Sequence, residues 1–209
     1  DQFSLNYFSE KNFNKDINIF TGHFVFSEVC KNFELFSIVR NPIDLFISNL
    51  YFFYLEKYKR INLNSQSIKK IKKQLNFDLE LSDNDLSIMP KLIENNFINS
   101  NIITKTIAGV PYEKYYLVYE DYKLEEEDYL KAKENLKYFK HIGNVENVES
   151  FLKILLRHVP LSSIDYRSVN IFKKDENLIQ NIKNSIGDMI KDYNYYDTKL
   201  LEIIKTKFN

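Results

Sequence analysis

A nearly unbroken apolar run, Leu35-Phe36-Ser37-Ile38-Val39, leads straight into Arg40-Asn41-Pro42, and this junction limits the fold more than any other stretch. Such a run is of strand length and carries no polar alternation, the pattern of a strand covered on both faces by a parallel sheet's helices. Asn41 can cap a helix, Pro42 suits its first turn, and Asp44 follows three residues after the cap. A helix is therefore expected from Pro42 to about Lys59. Leu45, Phe46, Ile47, Leu50, Phe52 and Phe53 surround its middle, which predicts burial.

Further elements fall on either side. Ile17-Asn18-Ile19-Phe20 reads as a short strand ending at Thr21-Gly22, and residues 24–32 as a helical turn or an irregular connection. Helices are expected over 62–78 and 83–108, the latter interrupted at Pro90, and Gly109-Val110-Pro111 breaks the pattern. Residues 115–119 form an apolar strand. Residues 125–139 form a helix with acids first and lysines later, as its dipole favours. A strand at 140–143 leads to a helix over 146–158, ended by Pro160. A polar loop fills 161–175, and helices over about 176–191 and 195–207 close the chain. Strands alternating with helices imply an α/β three-layer domain with a parallel sheet. With no repeat and no second boundary, residues 1–209 read as one domain, long enough to bury roughly 70% of its unfolded surface.

Composition narrows the function classes. Hydrophobic residues make up 44% and aromatics 15%, which excludes a disordered chain. Lysine plus arginine and aspartate plus glutamate both total 29, so no bulk charge draws the chain to nucleic acid or an anionic membrane. No window reaches the ~20 apolar residues of a membrane span. The single Cys30 permits no internal disulfide and suits a reducing compartment, so a cytoplasmic location is expected. No metal site is expected: Glu125-Glu126-Glu127-Asp128 reads as a solvated helix start.

Arginine occurs only at positions 40, 60, 157 and 167, so each is a candidate for planar anion contact. Arg40 offers a forked donor at a strand's carboxyl end, beside the first amides of the next helix. Ser48 lies one turn beyond Asp44 on the same face of that helix. Two readings are open on these residues alone. The pair can hold a phosphate, or Arg40 can pair with a carboxylate while Ser48 bonds back to the Asp44 carbonyl.

The stretch Phe36 to Ser48 closely resembles the nucleotide 3′-phosphate motif of sulfotransferases: a strand, Arg, Asp or Asn, Pro, then Ser eight residues after the Arg. The family uses PAPS, 3′-phosphoadenosine 5′-phosphosulfate, as sulfonate donor. The resemblance implies that Arg40 and Ser48 clasp the 3′-phosphate on a P-loop NTPase-like fold. Thr21-Gly22-His23-Phe24-Val25-Phe26 is similar to the Gly-His segment of the heparan sulfate 2-O-sulfotransferase branch, in which the histidine is the catalytic base. Residues 101–109, Leu117-Val118-Tyr119-Glu120-Asp121, Ile142 to Glu146, and Tyr195-Tyr196-Asp197 resemble further segments in order. Arg167, Ser168, Asn170, Lys173 and Lys174 occupy a position where that branch closes a basic loop over the nucleotide. A solvated charge cluster is the other reading.

Two departures stand out. Leu45 replaces a second arginine common in the family. No Gly, Thr and Ser-rich phosphosulfate loop precedes His23, and residues 1–20 contain no glycine. The chain opens on Asp1, so an enzyme lacking its first strand and loop at the N-terminus is expected.

His23 also suits the chemistry on its own terms, because a neutral imidazole can take an alcohol proton near pH 7. A core or solvent histidine is the alternative there, and His141 and His158 read as structural. Glu28 and Glu120 can orient an acceptor or form surface ion pairs. The expectation is a sulfotransferase moving sulfonate from PAPS to a hydroxyl of a small molecule or glycan, with no metal. The competing expectations are a nucleotide-binding module without transfer activity and, more remotely, a nucleotide kinase, whose Walker elements are absent.

Overall fold

The apolar run forms strand β1 (Leu35–Val39) and, as expected, pairs in parallel with a later strand, β2 (Phe139–Asn144). The register runs from Leu35 opposite Phe139 to Val39 opposite Asn144, with a shift between Leu35 and Phe36. This computed structural model describes residues 25–50, 100–111, 122–158 and 176–208. The strands expected at 17–20 and 115–119, the helix over 62–78, most of that over 83–108 and the loop 161–175 lie outside the described residues.

The capped junction folds as its sequence requires. Helix α1 (Pro42–Leu50) starts at the proline, and Asn41 Oδ1 accepts the Ile43 amide at 3.0 Å. Phe46 and Ile47 are buried. Coverage of β1 is less complete than the apolar run suggested. Val39 is buried in the main core, but Ile38, on the opposite face, is 38% exposed. An apolar run marks a strand but does not say how much of each face a neighbour covers.

Helix α2 (Ile102–Ala108) begins at a break that the sequence did not reveal, because one helix was expected over 83–108. Asn101 stands at φ 51°, in the left-handed region that asparagine tolerates. Its side chain gains two bonds by leaving the helix path, donating to the Tyr193 carbonyl and accepting from the Asp197 amide. Helix α3 (Glu126–Asn135) starts where four acids were expected to, with the Asp128 carboxylate accepting from the Glu125 amide at 3.1 Å. It tightens into a 3-10 turn at 136–138, so it ends before the expected Phe139, which is already in β2. A second 3-10 turn at 145–147 opens α4 (Val148–Leu155). Helices α5 (Glu176–Tyr193) and α6 (Tyr195–Phe208) follow the expected bounds closely.

Successive strand residues point to opposite faces. Gly143 lies against Phe151 of α4, where an added Cβ would meet that ring 2.6 Å away. Ile142, facing the other way, joins Val39, Ile103, Leu136, Leu200 and Ile204 in the main core. The described chain is thus a mixed α/β fold around a two-stranded parallel sheet. No helix among the described residues is long and apolar enough to cross a membrane.

The end of α2 anchors a second segment. Gly109, at φ 82°, terminates the helix, and the Phe26 amide donates to the Thr106 carbonyl at 2.9 Å. A Cβ on Gly109 would sit 2.5 Å from the Phe26 carbonyl oxygen, a backbone atom that cannot swing aside. Gly109→Ala is therefore expected to lower stability by about 1–3 kcal/mol, through the left-handed backbone and the forced contact. Urea denaturation followed by circular dichroism measures this, and an unchanged midpoint would refute the packing argument.

Candidate functional site

The carboxyl ends of β1 and β2 lie side by side, Val39 opposite Asn144, and a helical element leaves each. Arg40 follows Val39 directly and is part-buried. Its Nε is buried and has no hydrogen-bond partner among the described residues. No carboxylate there pairs with it, which disfavours the expectation of an Arg40 ion pair. A buried guanidinium nitrogen left without an acceptor is costly, and an anion bound there would relieve that cost.

The start of α1 contributes less than expected. Proline 42 has no N–H, the Ile43 amide is taken by Asn41 Oδ1, and the Leu45 amide bonds the Asn41 carbonyl at 2.8 Å. Asn41 thus takes the Ile43 amide, one that an anion could have used, while the Leu45 bond is the first turn of the helix itself. What the helix start offers is its dipole, and the forked donor beside it is Arg40. At the matching end of β2, Asn144 Oδ1 accepts the Glu146 amide at 3.3 Å and Asn147 Oδ1 accepts the Ser150 amide at 3.4 Å.

Residues 40, 44 and 48 recur at the four-residue spacing that places Asp44 and Ser48 on one side of α1. Ser48 is part-buried there. The Asp44 carboxylate does not close a capping box. It pairs with the Lys183 ammonium of α5 at 2.7 Å, a partner from near the other end of the chain that no local pattern announced. Leu45 turns the other way and packs against the main core.

His23, Arg167, Lys173 and Glu120 lie outside the described residues. Glu28 pairs with Lys31 at 2.6 Å on the surface, the plainer of its two readings. His141 is a core histidine, as expected: it stacks on Phe151 and meets the edge of Phe208, and burial holds its pKa below the usual 6.5. His158 lies 3.6 Å from Glu34 and against the Phe36 ring. Cys30 is part-buried, its sulfur 3.4 Å from the Ser27 hydroxyl. Among the described residues no group of three or more His, Cys, Asp or Glu side chains could hold a metal ion.

A buried polar clasp, also missed by sequence reasoning, joins the starts of α2 and α6. Asp197, 1% exposed, accepts the Thr104 amide at 2.7 Å and the Ile103 amide at 3.0 Å. In return Asn101 Oδ1 accepts the Asp197 amide at 3.1 Å, and Asn194 Oδ1 accepts the Asn101 amide at 3.0 Å. Each helix thus satisfies the orphan amides of the other. Lys105 is buried in α2 close to this carboxylate, and burial lowers its pKa to about 8 against the pull of Asp197 and Asp128. Burial likewise pushes the Asp197 carboxyl up to about 6, although its amide partners and Lys105 oppose the shift. The clasp fixes α2, and the far end of α2 holds Phe26, three residues after His23.

Comparison of the chain with protein-family models, with curated proteins and with solved structures finds no match.

Proposed function

We propose that this chain is a PAPS-dependent sulfotransferase domain of P-loop NTPase-like architecture, transferring sulfonate to a hydroxyl of a small molecule or glycan. The observation that carries the reading is Arg40. It stands at the carboxyl end of a parallel strand with a buried, unpartnered Nε, and Ser48 follows eight residues later on the helix that the strand feeds. Ligands of open parallel sheets bind at this edge. In this proposal Arg40 and Ser48 hold the nucleotide 3′-phosphate, and Arg167 and Lys173 close over the nucleotide. His23 accepts the acceptor proton as the oxygen–sulfur bond forms. The bond from sulfur to the 5′-phosphate breaks in the same step, and adenosine 3′,5′-bisphosphate leaves. Rate then comes from positioning and from stabilising charge on the transferred group, with no metal required.

A second reading is a nucleotide-binding module that keeps the fold and has no transfer activity. Labelled PAPS and a panel of acceptors separate the two readings. The binding half is tested by calorimetry: adenosine 3′,5′-bisphosphate should bind about 10- to 100-fold more tightly than AMP, as befits one or more charged hydrogen bonds. Arg40→Ala should remove most of that difference. Equal affinity for the two nucleotides in the wild type would defeat the assignment.

A further inference from the structure

We infer that Lys183, on α5, is a third ligand of the 3′-phosphate, delivered to the site by the packing of α5 on α1. This rests on the sulfotransferase reading of Arg40 and Ser48. A phosphate monoester carries close to two negative charges at neutral pH. Arg40 supplies one positive charge, and Asp44, one turn before Ser48 on α1, carries a negative one. Those two charges alone leave a site with no net attraction for a dianion. Lys183 changes the balance, its ammonium lying 2.7 Å from the Asp44 carboxylate. The charges of Arg40, Asp44 and Lys183 then sum to one positive, beside the positive end of the α1 dipole.

Geometry and exposure support a binding role over a structural one. The side chains of Lys183 and Asp44 are 37% and 31% exposed, so the pair is part-buried yet open enough for an anion to reach the ammonium. An ammonium has three donors, so one bond to Asp44 leaves two for phosphate oxygens. Its flexible stem lets the charge move a short way toward a bound anion. The backbone beneath it is fixed: α5 is an 18-residue helix, and Tyr193 near its end meets Phe46 of α1 edge-on at 6.0 Å. Lys183 is far from Arg40 in sequence, so only the fold brings it to the motif.

Calorimetric titration of the protein with adenosine 3′,5′-bisphosphate and with AMP tests the assignment in wild type, Lys183→Met, Lys183→Arg and Arg40→Ala. Lys183→Met should bind the bisphosphate about 10-fold more weakly with AMP affinity unchanged, and its melting temperature should stay near that of wild type. Lys183→Arg keeps the charge and should retain affinity within about 3-fold of wild type. If Lys183→Met keeps the bisphosphate preference while Arg40→Ala loses it, Lys183 is not a ligand and the sulfotransferase reading stands. Equal loss of AMP and bisphosphate binding in Lys183→Met, or a Lys183→Arg variant as weak as Lys183→Met, also overturns the assignment. A wild type that does not distinguish the two nucleotides overturns both.

Discussion

Asp197→Ala is expected to cost about 3–5 kcal/mol, because it removes a buried carboxylate from two buried amides and from a buried lysine nearby. Three losses add up at one site. The Ile103 and Thr104 amides lose their acceptor in a place water does not reach, and each such orphan is expensive. Lys105, 4% exposed, loses a charge that opposes the effect of its burial. Helix α2, seven residues long, is too short to persist without tertiary support, so its start unravels with the clasp. A domain of this size has about 5–15 kcal/mol in all, so the variant should sit near the edge of folding at 37 °C. Urea denaturation by circular dichroism measures the loss, and a cost under about 1 kcal/mol would show that the clasp is incidental.

The same carboxylate sets a pH dependence. Its folded pKa, about 6, lies above the ordinary 3.8, so the folded state holds the proton more tightly than the unfolded chain. The stabilisation from this group is complete below pH 3.8 and is lost as pH rises through 6. Wild type should therefore gain on Asp197→Asn as pH falls from about 6 to 4. Lys105 acts in the opposite window: its folded pKa of about 8 lies below 10.5, so its cost is full below pH 8 and is relieved as pH rises toward 10.5.

Local signals in the sequence did well where local physics decides. The apolar run at 35–39, the Asn41-Pro42 start, the glycine stop at 109 and the two closing helices all follow from burial pattern, caps and backbone preference. The parallel pairing of β1 with β2 follows from strand and helix alternation. Features settled by distant partners were hidden. Asn101 leaves the helix path because its bonds go to Tyr193 and Asp197, 92 and 96 residues away, and no nearby residue encodes them. Nothing adjacent to Lys183 in the sequence marks it, because its partner Asp44 lies on α1. In the candidate site, Arg40 and Ser48 were legible as a spaced pair, but the sequence overstated the helix amides, since Pro42 has none and the Asn41 side chain takes that of Ile43.

The largest expected effect on chemistry belongs to His23. If the sulfotransferase reading holds, His23→Ala in the full gene product should lower turnover with PAPS by roughly 10²–10⁴-fold, the contribution of a positioned general base. Affinity for adenosine 3′,5′-bisphosphate should hardly change, because the proposed phosphate contacts, Arg40 after β1, Ser48 on α1 and Lys183 on α5, do not include it. Arg40→Ala should show the converse, weakening nucleotide binding first. The chain just after His23 is well anchored: Val25 and Phe26 are buried, and Phe26 bonds the Thr106 carbonyl at the end of α2. That anchor descends from the Asp197 clasp, so a destabilised clasp should also reduce turnover in proportion to the folded fraction. Wild-type rate should fall at acid pH, because an imidazolium cannot accept the acceptor proton. His23→Ala should lose that acidic limb and regain part of its rate with added imidazole. Near-normal turnover in His23→Ala, or an acidic limb that survives the substitution, would remove the histidine from the mechanism and leave the base to be sought elsewhere.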